Sequence, residues 1–131
     1  MFASLFILLY VAHLLADYPF QTDHQAGHKA ECSSVGWRAN LAHAATHVGF
    51  CSLALLVGSA VLGETAGLLP SAAAVVWIGA THSFIDRRWP IARWMVFARQ
   101  AGWAQHGGAA HVDQTAHVVV LASAALFLTA I

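Results

Sequence analysis

Long apolar stretches alternate with short polar segments along this chain, and the alternation predicts membrane-spanning helices. Four stretches are predominantly apolar, at about residues 1–17, 38–63, 67–86 and 112–131. Because a helix rises about 1.5 Å per residue, about 20 apolar residues cross a hydrocarbon layer of roughly 30 Å. The last three stretches meet that length and the first is short. The pattern predicts an all-α integral membrane bundle of four transmembrane helices, in a single domain covering residues 1–131.

The first stretch has a second interpretation, as the apolar core of a secretory signal. No basic residue precedes it, and no small-residue cleavage site comes before "DYPFQ" at residues 17–21. A retained helix is therefore favoured.

The composition supports a membrane protein. Apolar residues make up 59% of the chain and charged residues 9%, whereas soluble domains are nearer half apolar and a quarter charged. Six scattered lysines and arginines do not form a nucleic-acid surface. The two cysteines, Cys32 and Cys51, do not indicate a disulfide framework.

The basic residues predict an orientation. With four spans, all six lysines and arginines fall on the side of residues 18–37 and 87–111. By the positive-inside rule these two loops are cytoplasmic and both termini lie outside a bacterial inner membrane. Aromatic residues cluster near the same boundary, as in an interfacial belt: Tyr18, Trp37, Trp89, Trp94 and Trp103.

The third loop contains "WPIARWMVFARQAG", in which Pro90 is placed to start a helix and Gly102 to stop one. The mixture of aromatic and basic residues is typical of a short helix lying in the membrane interface. An ordinary juxtamembrane loop is the alternative interpretation.

Histidine and aspartate recur four residues apart. These two residue types occupy 13 of 131 positions, so chance predicts about one such pair. There are five pairs: His13/Asp17, His24/His28, His43/His47, His82/Asp86 and Asp113/His117. This spacing puts both side chains on one helix face, and four of the pairs fall in the predicted cytoplasmic half of the four helices.

The four pairs could therefore converge on one centre, as metal ligands do in helix bundles. They contribute eight candidate ligands: His13, Asp17, His43, His47, His82, Asp86, Asp113 and His117. Five imidazoles and three carboxylates are too many for one tetrahedral ion, but they suit two divalent ions of zinc, manganese or iron. The alternatives are a hydrogen-bonded network that only orders the bundle, and haem ligation, which would leave the aspartates without a role.

Other polar residues suggest less specific roles. His24 and His111 are candidate general bases, and Gln21 and Gln114 flank the pairs. Ser83 lacks the GxSxG context of a serine nucleophile.

The motifs "HLLADYPFQTD", "HAATH", "HSFID" and "DQTAH" resemble the small bacterial membrane proteins of domain of unknown function 3307, over essentially the whole chain. That resemblance implies a multi-pass membrane protein. Helices with His and Asp four apart are also similar to the YdjM-like membrane-bound proteins, which are classed by prediction as metal-dependent hydrolases. This second similarity implies metal-ligand roles for His13, Asp17, His82 and Asp86.

The leading functional hypothesis is a metal-dependent hydrolase of a membrane-borne ester or phosphate, because a site at the headgroup boundary can be reached by a lipid head. Transition-metal or proton transport is a second hypothesis. A structural or regulatory membrane subunit is a third. The expected partners are the lipid bilayer and a lipid or lipid-linked substrate. Four short helices bury little surface, so a homodimer is compatible with the sequence.

Overall fold

The computed structural model describes residues 1–64 and 66–131, and every regular element in that part of the chain is helical. The elements are α1 (Phe2–Asp17), α2 (Asp23–His28), α3 (Ser34–Leu62), α4 (Leu68–Ile85), α5 (Trp89–Phe97), α6 (Ala101–Trp103) and α7 (Ala109–Ala130), with a π-helical segment, Ala104–Gly108, between the last two.

The four longest helices pack in a ring. Helix α1 contacts α3 and α7, and α4 contacts the same two helices from the opposite side. The half of the ring nearest the chain termini is filled by apolar side chains, among them Leu9, Leu55, Ile78 and Leu128. The polar centre described below occupies the other half, so the apolar layer closes one end of the bundle.

Helix α3 begins at Ser34, four residues before the predicted start of the second span at residue 38. The cause is local, because the Ser33 side chain accepts a hydrogen bond of 3.0 Å from the Gly36 backbone N–H and so caps the helix. Gly63 ends α3 with a left-handed φ of 68°, a conformation that glycine adopts without steric cost.

The third loop does contain a helix, α5, with Pro90 in its first turn as predicted. The predicted stop at Gly102 is wrong, because α5 ends at Phe97. Arg99 adopts a left-handed φ of 57° and the Gln100 N–H donates to the Met95 carbonyl, which closes the helix early. Gly102 itself lies in α6.

A kink precedes α7. Gly107 has a φ of 91°, and the continuous helical stretch Ala101–Ala130 bends there. Helix α7 begins at residue 109, before the predicted start of the fourth span at residue 112.

Three helical stretches are long and apolar enough to cross a membrane: Ser34–Leu62, Leu68–Ile85 and Ala101–Ala130. Their outward faces are apolar, with Leu56 and Val76 each 67% exposed, while their inward faces bury histidines. This inversion of the soluble pattern suggests a membrane protein. With 16 residues, α1 is about 24 Å long, so the structure does not establish a fourth span.

Candidate metal centre

The pairs on the four long helices meet inside the bundle. Helices α1 and α4 carry their pairs at their last turns, and α3 and α7 carry theirs in turns of their first halves. Because α1 and α4 run opposite to α3 and α7, these turns lie at one end. Seven side chains of the four pairs are buried: His13, Asp17, His43, His47, His82, Asp86 and His117.

Asp17 is the hub of this cluster. Its Oδ1 lies 3.1 Å from Nε2 of His43 and 3.1 Å from Nε2 of His47. Nε2 of His82 lies 3.7 Å from the same oxygen, and the other oxygen, Oδ2, lies 3.1 Å from Nε2 of His13. One carboxylate therefore faces imidazoles from two other helices and from its own.

Asp86, one residue beyond α4, forms a second focus. Its Oδ2 lies 3.1 Å from Nε2 of His82 and 3.4 Å from Nε2 of His43. Lys29, from the loop after α2, places Nζ 2.9 Å from the same oxygen. Burial raises the pKa of the Asp86 carboxyl, but contact with His82 and the positive charge of Lys29 outweigh burial and hold that pKa below its usual range.

Several buried ring nitrogens lack hydrogen-bond partners within the described part of the chain. They are Nδ1 of His43, Nδ1 of His47, Nε2 of His82 and both nitrogens of His117. The 3.1 Å approach of His82 to Asp86 therefore lacks the alignment of a hydrogen bond. The rings are also crowded, with the centroids of His47 and His82 3.5 Å apart. Buried polar atoms normally find partners, so these nitrogens are free to serve as ligands.

The donor atoms fit divalent metal ions. Three overlapping groups each bring their donor atoms within 4.8 Å of one another: Asp17, His43, His47 and His82; His13, Asp17 and His117; and His82, Asp86 and His117. Donors about 2.0–2.1 Å from a tetrahedral ion lie about 3.4 Å apart. The distances from Asp17 to its three imidazoles in the first group span 3.1 to 3.7 Å and bracket that value.

The charge of the cluster also favours cations. Asp17 and Asp86 are both buried, and among the described lysines and arginines only Lys29 pairs with either carboxylate. One carboxylate charge therefore has no fixed positive partner in a region of low dielectric. Burying such a charge costs several kcal/mol unless it is paired, and a bound metal ion would pair it.

Asp113, the eighth predicted ligand, lies outside all three groups. Its Oδ2 is 3.4 Å from Nδ1 of His117, and its side chain is 24% exposed. A carboxylate behind a ligating histidine orients the ring, so the geometry gives Asp113 an orienting position. The individual ligand roles of all eight residues stay predictions.

The two candidate general bases lie at the surface. His24 is exposed on α2, and its backbone carbonyl accepts a hydrogen bond from Nδ1 of His28 at 2.9 Å. His111 is exposed and stacks on Trp103, with the ring planes 3° apart. Neither belongs to a ligand group, and a role as general base stays a prediction without support from these positions.

Two side chains beside the cluster were less apparent from sequence. Gln114 Nε2 donates to Asp17 Oδ2 at 3.4 Å, and its Oε1 lies 3.4 Å from His13 Nε2. The sequence gave one indication that Gln114 lies near the cluster, namely that it directly follows Asp113. Lys29 had none, because its ion pair with Asp86 spans 57 positions and depends on how the first loop folds.

Comparison with known proteins identifies one family. The family described as "Protein of unknown function (DUF3307)" matches residues 5–131. No curated protein and no solved structure matches the chain significantly. The similarity to the YdjM-like proteins finds no support in these comparisons.

Proposed function

The chain belongs to the DUF3307 family of proteins of unknown function, and we propose that it is a membrane-embedded hydrolase that uses divalent metal ions. The bond cleaved is the ester bond between an alcohol oxygen and the acyl carbon or phosphorus of a membrane-borne molecule. One water is consumed, its oxygen bonding to the acyl carbon or phosphorus while the alcohol leaves with a proton.

The observation that carries this proposal is the position of Asp17. Both of its oxygens face imidazole nitrogens, with His43 and His47 on one oxygen and His13 on the other. With different histidines at its two oxygens, Asp17 would serve as a ligand to a metal ion on either side, and the ions would supply Lewis acidity there.

Two ions also suit the charge. Two divalent cations carry +4, and Asp17, Asp86 and one hydroxide would carry −3 against them, with Asp113 behind His117 adding a further −1. Imidazole and carboxylate donors without thiolates favour zinc, manganese or iron(II). Asp17, His43, His47 and His82 would hold one ion, and Asp17, His13 and His117 the other, with Asp86 close enough to His82 and His117 to contribute to either.

The metal would supply Lewis acidity and lower the pKa of bound water towards neutrality. The chain's own residues would orient the ligand side chains and exclude bulk water. Asp113 would orient the ring of His117, 3.4 Å from its Nδ1, and Gln114 contacts both His13 and Asp17. The apolar layer around Leu9 and Ile78 closes the far side of the centre and keeps bulk water from that direction.

The membrane topology forms part of the proposal. Helix α1 would span the membrane beside the other three long helices, nearly parallel to the membrane normal, and would end at Tyr18. Residues 18–37 and 87–111 would then face the cytoplasm. The support is the distribution of the six lysines and arginines, all of which belong to those two segments or to the first turns of the adjacent helix.

Transport is disfavoured by the apolar layer. An ion path through the bundle needs polar groups in both halves, yet the core of the terminal half consists of apolar side chains and Cys51 in the described residues. A His–Asp network without metal is the remaining alternative, and the experiment below distinguishes it.

The test measures metal-dependent turnover by the protein purified in detergent without chelators and loaded with zinc or manganese. Chromogenic substrates should include an aryl phosphate, an aryl phosphodiester and an aryl acetate. We expect hydrolysis of at least one, lost by more than about 100-fold in His82→Ala and Asp86→Asn. His28→Ala, a change at a partly exposed residue outside the ligand groups, serves as the control and should keep wild-type activity. A folded, metal-loaded protein that hydrolyses none of the three contradicts the hydrolase proposal.

A further inference from the structure

A cavity of about 510 Å³ adjoins the metal centre on the side of the first and third loops. Residues that line it include Lys29, Asp86, Arg88, Ile91, Met95 and Asp113. We call it the Lys29 cavity. Asp86 belongs to the third candidate ligand group, so a molecule in this cavity reaches the centre directly. Its size lies within the roughly 300–1,000 Å³ of small-molecule sites.

The Lys29 cavity presents two cationic side chains, and each is anchored. Lys29 is half-buried against Asp86, 2.9 Å away. Arg88 is exposed at the junction of α4 and α5 with a left-handed φ of 62°, and its guanidinium donates to the Ala26 carbonyl at 3.4 Å. A non-glycine residue in that region is strained, and such strain concentrates at functional sites. Two carboxylates, Asp86 and Asp113, line the same cavity and balance these cations. Once metal ions share the charge of the carboxylates, Lys29 and Arg88 are free to bind an anion.

The opposite wall of the Lys29 cavity is apolar and comes from α5. Ile91 and Met95 are buried there, while the other face of α5 exposes Trp94 and Phe97. A helix with one face in the protein and exposed aromatic residues on the other is typical of the membrane interface. An amphiphile whose head enters the cavity could therefore keep its chains beside α5.

We propose that the Lys29 cavity binds the phosphate group of an amphiphilic phosphate ester, with Lys29 and Arg88 as its cationic partners and α5 beside its apolar part. This assignment rests on the proposed function, because the metal centre must be loaded for Lys29 to be released. It narrows the substrate class from esters in general to phosphate esters at the headgroup level.

The test uses inorganic phosphate as the probe and isothermal titration calorimetry as the readout, on metal-loaded protein in detergent. We expect saturable binding to wild type, weakened at least about tenfold in Arg88→Gln, because a charge-assisted hydrogen bond to phosphate is lost. Arg93→Gln removes the same charge from α5 at a position that does not line the Lys29 cavity, and should bind within about twofold of wild type. Ala92→Glu, which adds a negative charge to the cavity wall, should weaken binding as Arg88→Gln does.

Metal content measured on the same samples separates the two proposals. Wild type that holds its metal but does not bind phosphate, or an Arg88→Gln variant that binds it as tightly as wild type, overturns the phosphate assignment and leaves the metal centre standing. Wild type that holds no metal overturns the proposed function and this inference together.

A second arm distinguishes a lipid headgroup from a soluble phosphate ester. Phosphatidic acid in mixed micelles and glycerol 3-phosphate carry the same phosphate monoester. Binding at least about tenfold tighter to phosphatidic acid supports the amphiphile. Equal affinity for phosphatidic acid and glycerol 3-phosphate overturns the proposal of an amphiphilic ligand and indicates a soluble phosphate ester.

Discussion

Arg87 joins the first loop to the end of α4 that carries ligands. Its guanidinium donates to the Lys29 carbonyl at 2.9 Å and to the Glu31 carbonyl at 2.7 Å, and it lies 4.3 Å from the centroid of the Trp37 ring. The side chain is buried, so these interactions hold the backbone of Lys29 in place. Arg87 thereby positions the ammonium group that pairs with Asp86.

We expect Arg87→Ala to lower the free energy of unfolding by about 2 kcal/mol or more, because two charge-assisted hydrogen bonds are lost and the carbonyls of Lys29 and Glu31 lose their donor. In detergent this corresponds to a melting temperature lower by roughly 5 °C or more. The control, Arg93→Ala, removes an arginine that only approaches Trp89, at 5.8 Å from the ring, and should change the melting temperature by less than about 2 °C. Equal melting temperatures for the two variants would contradict the anchoring role of Arg87.

For individual residues, the sequence predicted well that the His/Asp pairs converge, because two residues four apart lie on the same helix face whatever the tertiary structure. It could not distinguish Asp113 from Asp86. Both belong to i,i+4 pairs, and only packing decides that Asp86 points into the cluster while Asp113 stays part-exposed behind His117. Lys29 depends on the loop fold, for which the sequence carries no periodic signal.

Among the elements, α3 shows how close backbone packing sets the geometry of the first loop. A Cβ added to Gly36 would lie 2.2 Å from the Glu31 carbonyl oxygen, the same oxygen that accepts from Arg87. On the same helix, a Cβ added to Gly49 would meet nothing within 4 Å. Position 36 therefore has no room for a side chain, whereas position 49 does.

Gly36→Ala should destabilise the protein by about 1–3 kcal/mol, because backbone must move to admit the methyl group. Gly49→Ala should be neutral or stabilising by up to about 1 kcal/mol, since alanine has the higher helix propensity. Thermal unfolding of both variants in one detergent checks this. A Gly36→Ala variant as stable as Gly49→Ala would show that the first loop does not pack against α3 as described.

Helix cores were easier to predict than helix ends. Hydropathy located α3, α4 and α7 because their length and composition are extreme. The early start of α3 depends on one hydroxyl, that of Ser33. The early end of α5 depends on the backbone of Arg99, where a basic residue gives no sign of a left-handed conformation.

For the molecule as a whole, Cys32 offers a direct test of orientation. It is exposed, and Cys51 is buried. In a bacterial host, a membrane-impermeant maleimide should label the protein in inverted vesicles and not in intact spheroplasts, because residues 18–37 are proposed to face the cytoplasm. Cys32→Ser should abolish labelling in both preparations. Labelling in spheroplasts would reverse the proposed orientation.

The whole-molecule arrangement was predictable only in part. Two pairs at helix ends and two at helix starts imply antiparallel neighbours with one polar end, and the ring has that form. The order of the helices around the ring depends on side-chain packing, which the hydropathy pattern does not encode. The same holds for the Lys29 cavity, which forms where α5 packs near the ends of α4 and α7.

The central claim is that the buried His/Asp cluster holds metal, and metal content per chain tests it most directly. Inductively coupled plasma mass spectrometry on detergent-purified protein should give about two transition-metal ions per chain for wild type and for Asp23→Asn, an exposed change on α2. Asp17→Asn should lose most of both ions, because its two oxygens face both sets of histidines. Folded wild type with less than about a tenth of an ion per chain after incubation with zinc or manganese would contradict the account. That result would make the cluster a hydrogen-bonded network.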